Sequence, residues 1–191
     1  ILSKARTQYQ NIVDVLNGEV VTGNPHAYFV KGKVAVAASS PDLMETYIEK
    51  DDLVIESIIR SCLIEYGGNH SGTAWEDENL NKFSKIYGTN TDKYWVLEDE
   101  NHKVVGGVGI GKITKDICEL QKMYLVKEVR GTGVSCKLMD TALTFAKTLY
   151  KQCYLETLES MIPAKKFYLR YGFTIIDKPP VSVIHNSCPV K

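Results

Sequence analysis

Glu119-Leu-Gln-Lys-Met-Tyr-Leu-Val-Lys-Glu-Val-Arg-Gly-Thr-Gly-Val-Ser135 is the stretch whose reading decides the fold. Its first half completes a strand candidate over Cys118 to Val126. Its second half, Arg130 to Ser135, opens the best helical pattern in the chain. That pattern runs from Gly133 to Tyr150, with Val134, Leu138, Ala142, Phe145 and Leu149 on one stripe. Backbone N–H groups at a helix start are unpaired, and the aligned peptide dipoles add positive potential there. Gly131 and Gly133 allow unusual dihedrals and let a ligand come close to the main chain. Such a turn can seat a pyrophosphate with little side-chain help, and Arg130 would add a charge-assisted contact at the rim. Taken in isolation, the six residues read first as an ordinary tight turn between strand and helix. Two other phosphate loops are excluded. No GxxxxGK(S/T) sequence occurs, and Gly106-Gly-Val-Gly-Ile-Gly111 misses GxGxxG in register and runs into another strand pattern. Those glycines read as thinning a strand where something packs closely.

Outward from this stretch, the elements alternate. Leu53 to Tyr66 has a helical apolar pattern, acidic residues at its start and Gly67-Gly68 at its end. A short helix is expected over Glu78 to Ile86. Strands are expected at Tyr94 to Glu98 and Val104 to Ile110, joined by a turn at Asp99-Glu100-Asn101, and at Tyr154 to Thr157 and Phe173 to Ile176. Pro163 to Tyr171 reads as a helix. This order implies an α/β fold with a mixed sheet and a parallel portion. Before a boundary near Ser39-Ser40-Pro41-Asp42, residues 1–44 read as an N-terminal extension, a helix and a hairpin. Residues 45–191 form the main domain, and the extension is a candidate surface for a homodimer.

Lys+Arg 23 against Asp+Glu 23 gives 191 residues no net charge, which argues against a nucleic-acid or membrane-surface binder. The 44% hydrophobic and 24% charged fractions are those of a globular chain, with no apolar run of bilayer length. Five cysteines, widely spaced and without a CxxC pair, fit a reducing cytoplasm better than a disulfide scaffold. Lys4, Arg6 and Asp14 interrupt the opening apolar pattern, which therefore does not read as a signal peptide. His185 and Cys188 are two potential ligands where a metal needs three or four, so no metal is expected.

Downstream of the loop lies Ala164-Lys-Lys-Phe-Tyr-Leu-Arg-Tyr-Gly-Phe173. With Arg130 to Ser135, this AxxFYxxxGF block resembles the GNAT superfamily of acetyl-CoA-dependent N-acetyltransferases, over about Glu45 to Asp177. The wording around Glu119 to Tyr124 is similar to a bacterial small-molecule subgroup. The resemblance implies a splayed sheet flanked by helices, open between the strands at Cys118 to Val126 and Tyr154 to Thr157. It implies that the pantetheine arm of acetyl-CoA pairs with the main chain around Met123, Tyr124 and Leu125. The pyrophosphate would then sit on Arg130, Gly131, Thr132, Gly133, Val134 and Ser135. Tyr168 matches the tyrosine that many members keep near the thioester sulfur. Ser135 stands where the family usually has Gly or Ala, and Met161 where many members have Asn.

The implied chemistry is attack of an amine on a thioester. The oxyanion wants a backbone N–H, which Tyr124 or Leu125 would supply, and the departing thiolate wants a proton, which the Tyr168 phenol would supply. Glu119 is the candidate base, because an alkylammonium titrates near 10 and must lose a proton. In an ideal strand Glu119, Gln121 and Met123 share a face, so Gln121 would orient Glu119. His70 and Trp75, with Glu76, lie where this fold builds acceptor loops. The plainer readings are a packing tyrosine, a solvated glutamate and an ordinary surface loop. The function expected is transfer of acetyl from acetyl-CoA to a primary amine of a small-molecule or amino-acid-like acceptor, in a ternary complex. The alternative is a catalytically silent acyl-CoA-binding module.

Overall fold

In a computed structural model, which describes residues 44–46 and 51–178, one five-stranded sheet runs in sequence order. The N-terminal helix and hairpin, the dimer surface placed on them, His185, Cys188 and the end of the chain after Pro179 lie outside the described residues. The strands are β1 (Met44–Thr46), β2 (Lys93–Glu98), β3 (Val104–Lys112), β4 (Ile117–Leu125) and β5 (Gln152–Tyr154). The first four pair antiparallel, and β5 joins β4 in parallel, so the sheet is mixed as expected.

Helix α1 (Asp52–Glu65) turns Ile55, Ile58, Ile59, Cys62 and Leu63 onto one face of the sheet. Its end is closed by Gly67 at φ 71°. The Gly67 and Gly68 amides donate to Ile64 O and Leu63 O at 3.2 and 2.7 Å, a pairing that needs the left-handed residue. Helix α2 is only Phe83–Ile86, shorter than expected. Residues 78–82 turn instead, where Asp77 Oδ1 accepts the Asn79 amide at 3.0 Å and competes with helical pairing. Helix α3 (Val134–Leu149) buries Leu138, Met139, Ala142 and Ala146 against the opposite face. Cutting Leu138 to Ala there would cost about 2–5 kcal/mol. Helix α4 (Ile162–Arg170) carries Pro163 in its first turn, where its missing N–H has no helical role.

Two strand expectations are corrected. The strand placed at Tyr154 to Thr157 lies at Gln152–Tyr154, because pairing with β4 ends at Tyr154. Phe173 to Ile176 is not a strand: no described strand pairs with it, and Ile175 is 78% exposed.

The β3 glycines do thin the strand. A Cβ on Gly107 would meet Tyr94 Cε1 at 2.5 Å, and one on Gly109 would meet Tyr94 Cδ2 at 2.8 Å. The Tyr94 ring lies there, packed with Phe83 and Tyr87 at centroid distances of 5.0 and 5.2 Å.

Candidate active site

The site begins where two strands part. β4 and β5 pair at Ile117–Gln152, Cys118–Cys153 and Glu119–Tyr154, and no further. β4 continues to Leu125, while residues 155–158 run on without a described ladder partner. The parting opens a cleft of about 660 Å³. Glu119, Gln121, Met123, Tyr124 and Tyr168 all line it, so five of the residues singled out from the sequence converge on one cavity.

A bulge sets which side chains face which way. Gly107 pairs with Tyr124 and Gly109 with Gln121, so Lys122 and Met123 together oppose Val108. Lys122 takes φ 50°, a left-handed conformation costly for a side-chain-bearing residue. It is held from two sides: the Tyr94 hydroxyl donates to Lys122 O at 2.9 Å, and Lys122 Nζ sits 2.8 Å from Asp77 Oδ2. The extra residue reverses the alternation. Met123 packs with the α3 face of the sheet and Tyr124 with the α1 face, so the expectation that Met123 shares a face with Glu119 and Gln121 is corrected.

Glu119 is buried, and Gln121 Nε2 donates to its Oε2 at 2.6 Å. The amide is oriented in turn by Tyr87, whose hydroxyl donates to Gln121 Oε1 at 2.6 Å. Burial, with Glu119 facing it, pushes the Tyr87 phenol far above its ordinary range, so it acts as a fixed donor. Sequence reading missed Tyr87, which lies 34 positions from Gln121.

Tyr168 reaches the cleft from the last turn of α4, its ring edge-on to Phe167 and Phe173 at 5.8 and 6.0 Å. Part of the ring surface is exposed, but the hydroxyl sits deep enough that burial pushes it up to about 12. It therefore keeps its proton at neutral pH. Among the described residues it has no hydrogen-bond partner.

The loop before α3 has the geometry of an anion seat. Gly131 and Gly133 take φ 77° and 103°, and a Cβ on Gly131 would meet nothing within 4 Å. The Thr132 amide and hydroxyl both turn back to Val129 O, at 3.4 and 2.7 Å. The N–H groups of Gly131, Gly133, Val134 and Ser135 donate to no acceptor among the described residues, at the positive end of a 16-residue helix.

The Arg130 side chain points elsewhere. Nη1 donates to both Glu65 carboxylate oxygens at 2.9 and 2.8 Å, Nε to Leu125 O at 2.9 Å, and Nη2 to Cys62 Sγ at 3.2 Å. The guanidinium thus pins the end of α1 to the exit of β4. Burial raises the Cys62 thiol, and Arg130 beside it pulls the other way.

His70 and Trp75 are not among the lining residues. His70 is exposed, with Nδ1 2.8 Å from Ser71 O, and Trp75 stacks under Arg60 at 4.9 Å while packing on the α1 core. Their neighbours Glu76, Asp77 and Glu78 line the cleft instead, as does Glu156, which accepts from the Tyr154 hydroxyl at 2.5 Å. Met161 is buried and also lines the cleft, its sulfur 3.7 Å from Thr157 Oγ1. Among the described residues no helix is long and apolar enough to cross a membrane.

Residues 90–175 match the family described as acetyltransferase (GNAT) domain. The uncharacterized N-acetyltransferase YjgM of Escherichia coli K12 is 37% identical over 161 residues, covering 82% of this chain and 95% of the relative. A GNAT-family acetyltransferase of Staphylococcus aureus Mu50 superposes with a TM-score of 0.64 at 22% identity, over 71% of this chain and 88% of that one. A Clostridium acetobutylicum acetyltransferase solved with acetyl-CoA has a TM-score of 0.55 at 20% identity, over 71% and 91% of the two chains.

Proposed function

This chain belongs to the GNAT family of N-acetyltransferases, and on that premise we propose that it moves acetyl from acetyl-CoA to a primary amine of a small molecule, by direct attack within a ternary complex. The observation that carries this reading is the parting of β4 from β5 just past Glu119 and Tyr154, which sets Glu119 and Tyr168 on the walls of one cleft. The residues present fit acetyl-CoA. Amide donors without acceptors gather at the mouth of α3 for a diphosphate, and beyond Glu119 the edge of β4 opposite β3 has no described strand beside it, leaving room for an extended pantetheine arm.

The thioester supplies an activated carbonyl. Glu119, aligned by Gln121, takes the proton that the attacking amine gives up, directly or through one water. A main-chain N–H at Tyr124 or Leu125 receives the negative charge that develops on the carbonyl oxygen. Tyr168, held protonated, offers its hydrogen to the departing sulfur. No covalent acyl-enzyme is required, and the free thiols of Cys62, Cys118 and Cys153 are not among the lining residues. The same cysteine usage is the support for a cytoplasmic setting.

The test is Tyr168→Phe. Release of CoA thiol should fall about 10²-fold, the usual worth of a placed acid, while acetyl-CoA affinity is retained. Unchanged turnover would remove Tyr168 from the mechanism. Intersecting rather than parallel double-reciprocal plots are expected for direct attack.

A further inference from the structure

Lys122 stands where a glycine would be at ease. Its φ of 50° is a left-handed conformation that a lysine adopts only at a cost, and the Tyr94 hydroxyl already holds its carbonyl. A glycine would fit the same bulge with less strain, so the side chain is the distinctive part of the position. That side chain runs to Asp77, Nζ 2.8 Å from Oδ2, with the two side chains only 15% and 16% exposed, so water and salt screen the pair weakly. Asp77 organises the chain between α1 and α2. It follows a single turn at Ala74–Glu76, and its amide donates to Ala74 O at 3.2 Å. Its Oδ1 accepts the Asn79 amide at 3.0 Å and its carbonyl the Leu80 amide at 3.3 Å. One carboxylate thus shapes a turn with one oxygen and reaches β4 with the other.

The segment presents Glu76, Asp77, Glu78 and Asn79 to the cleft, which β4 also lines from Glu119 to Tyr124. It is tied to α1 by Arg60, whose Nη1 donates to Trp75 O at 3.2 Å, and to the core by the buried Leu80. Resting on the acetyltransfer reading above, we propose that the Lys122–Asp77 ion pair positions the acceptor. It fixes the turn at residues 77–80 to the β4 bulge, so the wall that an amine rests against keeps a set distance from the stretch of β4 that meets the thioester. Lys122 and Asp77 are positioning residues, acting through the turn and not on the reacting atoms. The diphosphate seat at the mouth of α3 is built from other residues. Loss of the pair is therefore felt by the acceptor and not by the grip on the nucleotide.

The experiment uses the full chain and follows thiol release at saturating acetyl-CoA, with n-butylamine, 2-phenylethylamine and glycine as probe acceptors. Calorimetry gives the acetyl-CoA affinity in parallel. Lys122→Met keeps the stem and removes the ammonium. With the best probe it should raise the acceptor KM about tenfold and lower kcat less, the scale of a displaced positioning group, with acetyl-CoA affinity held within about twofold. Lys122→Gly also relieves the backbone, which guards against a folding defect, and the same loss is expected. Lys122→Arg keeps a cation and should recover most of the lost kcat/KM. Asp77→Asn keeps an oxygen for the Asn79 amide; added to Lys122→Met it should cost little more, because both remove one interaction. Wild-type acceptor kinetics in Lys122→Gly, or a loss as large in Lys122→Arg, would overturn the inference while leaving acetyltransfer intact. So would a fall in acetyl-CoA affinity that matches the fall in kcat/KM, the signature of a β4 that only loses its shape. Thiol release with none of the probes, despite bound acetyl-CoA, would overturn the transfer reading and this inference with it.

Discussion

Gln121 Nε2 lies 2.6 Å from Glu119 Oε2, and the other end of the same amide accepts from the Tyr87 hydroxyl at the same distance. Because a buried phenol donates and a carboxylate accepts, only one orientation of the amide satisfies both neighbours. Tyr87 is therefore a positioning residue acting through Gln121. Tyr87→Phe keeps the ring and removes that constraint. Its expected effect is a kcat about tenfold lower with the acceptor KM little changed, and a stability loss of about 1 kcal/mol. Gln121→Leu removes the donor that favours the charged carboxylate, so the acid limb of the rate profile should move to higher pH. A lower melting temperature with an unmoved profile would mean that the pair only packs.

Asp140 is a half-buried carboxyl on α3, with the Tyr171 hydroxyl donating to it at 2.9 Å. Burial pushes it up to about 6 from an ordinary 3.8, the hydrogen bond offsetting only part of the effect. Below pH 4 the group is protonated in both states and costs nothing. Between 4 and 6 the unfolded chain ionises first, so stability falls as pH rises, by about 2–3 kcal/mol at most. Asp140→Asn has the same shape and still accepts from Tyr171. Denaturant unfolding should find it more stable than wild type at pH 7.5 and equal near pH 4. An equal difference at both pH values would contradict the assignment.

Gly107 lies against Tyr94, whose hydroxyl holds the Lys122 carbonyl in the bulge. Gly107→Ala has no room: Tyr94 Cε1 and Trp95 O lie 2.5 and 2.8 Å from the new methyl. A cost of about 1–3 kcal/mol and a fall in kcat/KM are expected, since the displaced ring carries the bulge with it. Gly131→Ala is the contrast, with open space around it and only its φ of 77° to pay for, about 1–2 kcal/mol. Equal losses of activity at the two positions would argue against the bulge as a determinant of the site.

The parts of this architecture that were legible in the sequence are those written in local periodicity. The helix from Val134 to Leu149, the glycines before it and the strand runs that became β2 to β4 needed no distant information, although Leu149, placed on the apolar stripe, is exposed. The bulge was illegible because Lys122 adopts a left-handed φ without being glycine, and two distant residues, Tyr94 and Asp77, hold it there. Arg130 was read as a phosphate ligand because the loop motif places it at the rim. Its guanidinium is instead engaged by Glu65, 65 positions away, a partner no local pattern reveals. Tyr87 and Glu156 enter the cleft from segments with no motif of their own, and only the folded sheet brings them to the same cavity as Glu119.

The most direct measurement is a crystal structure of the protein with coenzyme A. Diphosphate oxygens should lie within about 3.2 Å of at least two of the Gly131, Gly133, Val134 and Ser135 amide nitrogens, with the pantetheine arm running between β4 and the chain after Tyr154. A diphosphate bound elsewhere, with those amides facing solvent and the gap beside β4 closed, would contradict the account.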